Sequence, residues 1–355
     1  SQTDHLFKIM SGAPEIYTAC VARKVPRNEW NGDKAKEALE KEWNRLRFMP
    51  WPDYATSKKK GTWDETRVME AKDVRDQANT KPGQTAHFAR IAELLYEKGS
   101  ELSAGDPLRK MKGRAVLLGD QVKDQNFNWA EFSEMGSSPP SMEAARCVDA
   151  LSLFPGYAEE QADAVSAYTQ AFLKGPTTWV RLPPNRWPKS WNGKYKDPVV
   201  PLVLALYGHP DAGGYWEETC DAAVKACGWQ DFKDVWRSVY WHPAKKALLV
   251  VYVDDFNMTA PAQHLEGLWG DLRKKITMED PTGPDRFLGC YRHRFEAKAK
   301  DVEVCLQHKP ELYKRAEVGS GEASKDAKPA PLSTLPGYNP QTTVRGYVYD
   351  MGEYL

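Results

Sequence analysis

The segment "ALLVVYVDDFNMTA" holds the residues with the clearest chemical potential, the adjacent aspartates Asp254 and Asp255. They follow a continuous apolar run, which predicts a buried strand. Burying a charged carboxylate is costly unless its charge is compensated, and two carboxylates this close repel each other unless a cation lies between them. Mg²⁺ takes oxygen ligands, usually one or two carboxylates together with substrate phosphates. The pair therefore indicates a metal site for phosphate chemistry.

A third carboxylate would complete such a site. Asp163 is the best candidate, because it is a lone acid in "QADAVSAYTQAFL". Two metal ions about 3.5–4 Å apart stabilise both the attacking and the leaving oxygens of a phosphoryl transfer. The alternative for Asp254 and Asp255 is a polar hairpin turn, although Phe256 stands where a tight two-residue hairpin favours glycine. The alternative for Asp163 is a helix cap.

The elements that must position these acids follow from hydrophobic periodicity. Ala35, Ala38, Leu39, Trp43 and Leu46 recur at helical spacing, with Asn31 or Asp33 as the cap. "SVYWHPAKKALLVVYVDDFNMTA" predicts three short strands, and a helix with Leu265, Leu268, Trp269, Leu272 and Ile276 on one side follows. "DRFLGCYRHRFEA" and "KDVEVCLQH" predict further strands. The order indicates an α+β fold with helices on one face of an antiparallel sheet.

One segment is ambiguous. "HFARIAELLYEKGSEL" has a composition that favours a helix, but two strands around the turn signal "SAGDP" would form a hairpin with "LRKMKGRAVLLGDQV" as its basic second arm. "SSPPSMEAARCVDALSLF" predicts a helix capped by Ser141, with Ala145 and Val148 facing inward.

Composition leaves the function class open. The 355 residues carry 49 Lys+Arg and 49 Asp+Glu, so net charge neither favours nor excludes a nucleic-acid partner. The six cysteines form no CxxC pair and fit no common zinc spacing, which indicates reduced thiols in an intracellular protein, cytoplasmic or nuclear. No apolar run approaches the roughly 20 residues of a membrane span. We therefore expect no membrane partner.

A second basic segment, "TTWVRLPPNRWPKSWNGKYK", interleaves Arg and Lys with Trp179, Trp187, Trp191 and Tyr195. Two interpretations stay open from sequence. The segment is either an irregular surface loop or a face that contacts phosphates and stacks bases.

Several motifs together resemble the reverse transcriptase of copia-type LTR retrotransposons, in a divergent form. In order along the chain, "KAKEALEKEW" resembles the family's opening helix and "KGRAVLLGDQV" its Lys-x-Arg-x-Val-x-x-Gly fingers strand. "DAVSAYTQAFL" resembles Asp-Val-x-x-Ala-Phe-Leu, "LALYGHPDAGGYWE" the Ala-Leu-Tyr-Gly segment, "YVDDF" the Tyr-Val-Asp-Asp box and "RFLGC" the Phe-Leu-Gly strand. The resemblance runs over residues 29–335.

The resemblance implies a right-hand polymerase with an antiparallel palm sheet backed by helices. It divides the chain into an N-terminal extension (1–28), a fingers-like region (29–157), a palm (158–297) and the start of a thumb or connection (298–355). Its activity would be RNA- or DNA-directed DNA synthesis from a template, a primer and dNTPs. The particle of a retrotransposon, with flanking polyprotein domains, is the implied setting, and no ribonuclease H acid set follows in this chain.

The resemblance also implies roles for individual residues. Asp163, Asp254 and Asp255 would bind two Mg²⁺ ions, which Mn²⁺ can replace, and the Ala164 carbonyl would add a further oxygen. Tyr168 would be the aromatic steric gate under the sugar. Lys112 and Arg114 would contact the incoming triphosphate, and "RFLGC" would be the primer grip.

Two other functions remain open from sequence. A catalytically silent, domesticated relative would use the fold to bind nucleic acid or as a structural subunit, and the altered "HPDAGG" segment and neutral net charge favour it. A metal-dependent nuclease would need the same acids, but neither the gate aromatic nor the basic fingers strand.

Overall fold

The computed structural model of the chain describes residues 22–103, 105–132, 139–232, 235–308, 332–334 and 336–350. Its α-helices are α1 (Asp33–Arg47), α2 (Tyr54–Ser57), α3 (Ala71–Thr80), α4 (Met142–Ser152), α5 (Ala212–Ala226), α6 (Ala262–Arg273) and α7 (Ala299–His308). Its strands are β1 (Ala22–Lys24), β2 (Met69–Glu70), β3 (Ala86–Lys98), β4 (Lys110–Leu117), β5 (Tyr157–Asp163), β6 (Thr177–Arg181), β7 (Pro198–Pro201), β8 (Gln230–Phe232), β9 (Trp236–His242), β10 (Ala247–Tyr252), β11 (Asp255–Pro261), β12 (Arg286–Phe287), β13 (Cys290–Lys298) and β14 (Thr343–Asp350). The fold class is mixed α+β, as the sequence predicts.

The strands form three sheets. A six-stranded mixed sheet has the order β1-β3-β6-β7-β2, with β4 also paired to β3. The five-stranded central sheet has the order β5-β11-β10-β9-β8, and all of its neighbours are antiparallel. A three-stranded antiparallel sheet, β12-β13-β14, completes the set.

The central sheet is covered on both faces, whereas the sequence pattern predicts helices on one face. Leu249 and Val251 of β10 pack in a cluster with side chains of α5 and α6. Leu248 and Val250 pack on the opposite face with side chains of α4 and β12. Because successive strand residues point to opposite faces, a strand buried on both sides needs a continuous apolar run. This is why "ALLVVY" shows no polar alternation.

Helix α1 lies against the mixed sheet at Gly113 of β4. A Cβ at this position would stand 2.5 Å from the Ala38 carbonyl oxygen, so only glycine allows the close approach. The helix begins after Gly32, whose backbone is extended, rather than after the predicted cap Asn31 or Asp33. Its buried side chains include the predicted Leu39, Trp43 and Leu46.

One ambiguous segment is a strand, and one prediction is wrong. "HFARIAELLYEK", which the sequence left open between a helix and a strand, is the long strand β3 and forms the hairpin with β4. "KDVEVCLQH" lies in helix α7, not in a strand. Val302 and Cys305 are three residues apart, and they pack together against β13 and β14 as one side of a helix.

The remaining predictions agree in outline. The three strands around the aspartates are β9, β10 and β11, and Ser141 caps α4 by accepting a hydrogen bond from the Ala144 N–H at 3.2 Å. Cys147, Cys220, Cys227 and Cys290 are free thiols. The Gly/Ser/Pro-rich segment "GSGEASKDAKPAPLSTLPG" and the first 21 residues lie largely outside the described residues. In the described part of the chain, no helix is long and apolar enough to cross a membrane.

Candidate active site

The aspartates of the sequence prediction meet at one end of the central sheet. β5 ends at Asp163 and β11 begins at Asp255, and the two residues are direct partners in the antiparallel pairing. Side chains of directly opposed residues lie on the same face of a sheet, with Cβ atoms about 4.5–5.5 Å apart. The Ala164 N–H donates to the Asp254 carbonyl oxygen at 2.7 Å, which holds the neighbouring turn against the end of β5. Strand pairing therefore brings Asp163, Asp254 and Asp255 together.

The turn that carries Asp254 is tight. Tyr252 pairs with Asp255, so only Val253 and Asp254 form the loop, which corrects the expectation that the absence of glycine argues against a two-residue hairpin. Val253 takes the left-handed conformation, with φ of 55°, which is rare for a β-branched residue. Trp216 of α5 donates from its indole N–H to the Val253 carbonyl oxygen at 2.7 Å. A strained turn at the end of an apolar strand thus presents Asp254.

The electrostatics of the three acids favour a bound cation. Partial burial, followed by the charges of Asp254 and Asp163, raises the pKa of Asp255 to about 7, while Arg286 opposes the shift. Partial burial, followed by the charges of Asp254 and Glu279, raises the pKa of Asp163. Asp163 and Asp255 share a side-chain hydrogen bond, and such a bond between two carboxyl groups requires a proton on one of them. A cation would replace that proton, because opposite charge favours ionised carboxylates.

The donor set fits a hard divalent ion. Carboxylate oxygens are the ligands that Mg²⁺ and Mn²⁺ prefer. Among the described residues, no three side chains of His, Cys, Asp or Glu are already drawn together in a metal-binding arrangement. The three carboxylates would therefore have to turn towards an ion as it binds. Ala164 is buried beside them with its N–H engaged by Asp254, and the role of its carbonyl as a ligand stays a prediction.

Two tyrosines whose rings contact each other at a tilt adjoin the acids. Tyr168 lies in the short 3₁₀ helix Ala167–Gln170, and its ring centroid is 4.5 Å from that of Tyr207. Burial and then the charge of Asp254 raise the pKa of each tyrosine. The guanidinium of Arg114 lies 5.8 Å from the Tyr207 ring centroid. Arg114, Tyr207 and Tyr168 thus form a continuous series that leads towards Asp254.

Lys112 lies two residues before Arg114 on β4, so the two side chains point to the same face of the mixed sheet. Burial, followed by the charges of Arg114 and Lys98, lowers the pKa of Lys112 to about 8. Lys112 and Arg114 have two interpretations, as phosphate-binding residues or as part of a solvated face of β4. Lys112 is half-buried beside other cations, an environment in which an anion would be stabilised.

Sequence reasoning missed further residues at this site. Arg45 of α1 forms an ion pair with Glu42 and donates to the hydroxyl of Ser166, which takes a left-handed conformation three residues after Asp163. Glu279 donates its backbone N–H to the Asp163 carbonyl oxygen at 2.9 Å. Neither Arg45 nor Glu279 has a sequence signal. Tyr207 had one, because it lies in the "LALYG" motif.

Asp211, in the altered "HPDAGG" segment, is buried at the start of α5. The N-terminus of a helix stabilises a carboxylate. The charge of Asp211 also opposes the lowering of the pKa of the nearby His87, which burial causes. Its carboxylate therefore belongs to the interior of the molecule.

Several residues of the basic tryptophan-rich segment make contacts inside the protein. Arg181 forms an ion pair with Asp197 at 2.7 Å, and Arg186 forms one with Glu93 at 2.8 Å. Trp191 is buried, only 4% exposed. These contacts favour the structural interpretation of this segment over base stacking.

The hairpin of β12 and β13 carries "RFLGC", the predicted primer grip. Phe287 and Leu288 pack against side chains of α4 and β10. The charge of Arg286 acts on Asp255 and partly opposes the rise of its pKa that burial and the neighbouring aspartates cause.

Comparison of the sequence with models of known protein families gives no match, and comparison with curated proteins gives no significant match.

Proposed function

We propose that this chain is a template-directed DNA polymerase of the reverse transcriptase class, derived from a retrotransposon. In this proposal the hairpin of β3 and β4 belongs to the fingers (29–157), the central sheet is the core of the palm (158–297), and β14 belongs to the thumb or connection (298–355). The single observation that supports it best is the pairing of Asp163 with Asp255 beside Asp254. Folding alone gives no reason to gather three carboxylates whose charges raise the pKa of Asp163 and of Asp255.

The acids would hold two Mg²⁺ ions. When bound, these ions would supply the positive charge that stabilises the attacking and leaving oxygens of nucleotidyl transfer. Asp163 and Asp254 would be the principal ligands and Asp255 the additional carboxylate. Because the pKa of Asp255 is raised to about 7, this carboxyl holds a proton in the absence of a cation over most of the acidic range and releases it when a cation binds.

The basic strand and the tyrosines would bind the incoming nucleotide. Lys112 and Arg114 would hold its phosphates through charge-assisted hydrogen bonds. Tyr168 would lie under the sugar and exclude a 2′-hydroxyl, and Tyr207 would support the Tyr168 ring from behind. Arg114 is well placed for this role because it adjoins Tyr207.

A primer-extension assay tests the proposal. The protein is mixed with a 5′-labelled primer on an RNA or DNA template, dNTPs and Mg²⁺. We expect extension by the parent and a loss of at least about 100-fold in Asp254→Asn, in line with the removal of one transition-state-stabilising group. The matched control is Asp280→Asn, because Asp280 is exposed and pairs only with Arg273 in the described structure.

Three other outcomes of the assay would contradict the proposal or favour another function. Extension by Asp254→Asn at the parental rate would refute the proposal. Retention of the primer–template without extension would favour the catalytically silent relative. Cleavage of either strand would favour a nuclease that uses the same acids.

A further inference from the structure

The turn of residues 123–129, "KDQNFNW", places two aromatic rings in solvent. We call it the aromatic turn. Phe127 is 62% exposed and Trp129 is 66% exposed. Exposed single apolar residues are common, but two large rings two residues apart need a reason. The polymerase site proposed above does not use them.

The backbone of the aromatic turn is ordered by its own hydrogen bonds. Asp124 accepts from the N–H groups of Asn126 and Asn128 at 2.8 and 2.9 Å, and its own N–H donates to the Asn128 carbonyl. Lys123 pairs with Trp129 on one side and with Phe88 on the other. The turn is therefore fixed to the mixed sheet, and its rings are presented on a rigid support.

Phe127 occupies a position that suits another residue. Its φ is 67°, in the left-handed region that Asn and Gly tolerate and that an aromatic residue rarely adopts. Asparagines stand on either side of it. An asparagine would adopt this backbone conformation with less strain, so the aromatic ring at Phe127 carries a conformational cost. Strain of this kind points towards a functional role.

Cations lie on both rings. The guanidinium of Arg75 is 4.4 Å from the Phe127 ring centroid, and the ammonium of Lys123 is 4.9 Å from that of Trp129. Arg75 also lies 4.1 Å from the Phe88 ring centroid, and its buried Nε makes no hydrogen bond in the described structure. The nearby carboxylate of Asp197 acts on Arg75 through its charge but forms its ion pair with Arg181, at 2.7 Å. Nearby, a shallow depression of about 450 Å³ is lined by residues that include Lys72, Arg75, Asn79 and Phe127. The neighbouring acids are engaged, Asp124 in the turn and Asp76 with Lys72 at 3.8 Å.

We propose that the aromatic turn is a binding site for single-stranded nucleic acid, in which bases stack on Phe127 and Trp129 and phosphates contact Lys123, Arg75 and Lys72. Every base has a flat π face, so stacking of this kind tolerates any sequence, and adjacent cations follow the phosphates. A duplex would not fit, because its bases are already stacked on one another. The site goes beyond the proposed polymerase activity, since a strand can bind here whether or not the acids catalyse extension.

The experiment measures binding without dNTPs. Fluorescence anisotropy reports the affinity of the full chain for labelled dT12, U12, an abasic 12-mer and a 12-base-pair duplex. We expect dT12 and U12 to bind more tightly than the abasic strand and the duplex. In Phe127→Asn and Trp129→Thr, the affinity for dT12 should fall about 5- to 150-fold, the range for loss of one stacked base. The affinity for the abasic strand should not change.

Three controls sharpen the test. Phe127→Asn should melt no earlier than the parent, because Asn tolerates the left-handed conformation, so weaker binding cannot be attributed to unfolding. Phe154→Asn removes another ring on a residue 59% exposed, at the end of α4, and should bind as the parent does. Lys123→Gln should reduce the slope of log affinity against log salt by about 0.7.

Three results would overturn the inference. One is parental affinity for dT12 in both Phe127→Asn and Trp129→Thr. Another is an equal loss of affinity for dT12 and for the abasic strand, which would leave only electrostatic contact. Absence of strand binding in the parent would also overturn it and would point to a protein partner for the exposed rings. The primer-extension assay decides the polymerase proposal separately, because it depends on Asp254 and not on these rings.

Discussion

Replacing Arg292 by methionine should destabilise the fold strongly. Arg292, on β13, is 2% exposed in its side chain and lies between two acids that are as deeply buried, Asp149 of α4 and Glu159 of β5. It donates to both carboxylates, at 2.8 Å to Asp149, and its second terminal nitrogen donates to Gln161 at 2.7 Å. Methionine has a similar volume, so the change removes the charge and the hydrogen bonds and leaves little cavity.

The size of the effect follows from what remains. Removing one partner of a buried ion pair costs about 3–5 kcal/mol, because the other charge is left uncompensated. Here two carboxylates remain, and the hydroxyls of Tyr347 and Tyr349 still donate to them, at 2.9 Å to Glu159 and 2.6 Å to Asp149. We therefore expect Arg292→Met to lower the free energy of unfolding by about 4 kcal/mol at pH 8.

The loss should depend on pH. Burial, partly opposed by Arg292, raises the pKa of Glu159 from 4.5 to about 7 in the folded protein. The folded state thus binds this proton more tightly than the unfolded state. Its contribution to stability is complete below pH 4.5 and is lost as pH rises through 7. Without Arg292 the folded pKa rises further, so the variant should be closest to the parent near pH 5.

Urea unfolding followed by tryptophan fluorescence at pH 5, 7 and 8 measures these differences. Arg294→Met is the matched control, because Arg294 is an exposed arginine on the same strand, and it should change stability by no more than about 0.5 kcal/mol. A loss below about 1 kcal/mol for Arg292→Met would refute the reasoning. A loss that is equal at pH 5 and pH 8 would refute the assignment of the pH dependence to Glu159.

Other substitutions test the turns and the buried histidine. Val253→Gly should relieve the left-handed strain and raise the free energy of unfolding by about 1 kcal/mol, while the freer turn lowers extension activity; thermal melting and the extension assay together check this. Burial lowers the pKa of His209 to about 4 in the folded state, so its stabilising contribution is present above pH 6.5 and is lost as pH falls through 4. His209→Phe, which also removes the 3.2 Å contact with Thr178, should abolish that acid-side loss of up to roughly 3 kcal/mol, visible as a flatter profile of unfolding midpoint against pH. Gly208→Ala would place a Cβ 2.0 Å from the Leu117 carbonyl oxygen at a φ of 90°, and the expected loss of about 3 kcal/mol or more should appear as poor recovery of folded protein. A parental melting temperature for Gly208→Ala would contradict the close approach of these two segments.

Sequence patterns predicted the elements whose packing follows from local periodicity. Helices α1 and α6 bury one apolar stripe each, and the strands β9–β11 lie where apolar runs end at turn residues. Periodicity is a property of the chain itself, so these elements are readable without a partner. The acids that follow β10 were found for the same reason. An apolar run followed by two aspartates can be recognised in the sequence alone.

Segments whose partners are distant were harder to predict. "HFARIAELLYEK" has residues that favour a helix, yet it forms β3 because it pairs with β1, β4 and β6 at once. Strand formation depends on cross-strand and same-face neighbours more than on intrinsic preference. For "KDVEVCLQH" the reverse holds, because packing on β13 and β14 selects a helix with Val302 and Cys305 on one side.

By itself the sequence determined that Asp254 and Asp255 follow a buried strand and that Asp163 was the acid to seek. The tertiary structure alone decided that Asp163 stands opposite Asp255, because the register of β5 against β11 depends on both strands and on the helices that bury them. It also decided that Arg45, Tyr207 and Glu279 adjoin the site. The sequence gives the chemical type of each side chain. Its electrostatic environment depends on neighbouring groups that only folding brings close to it.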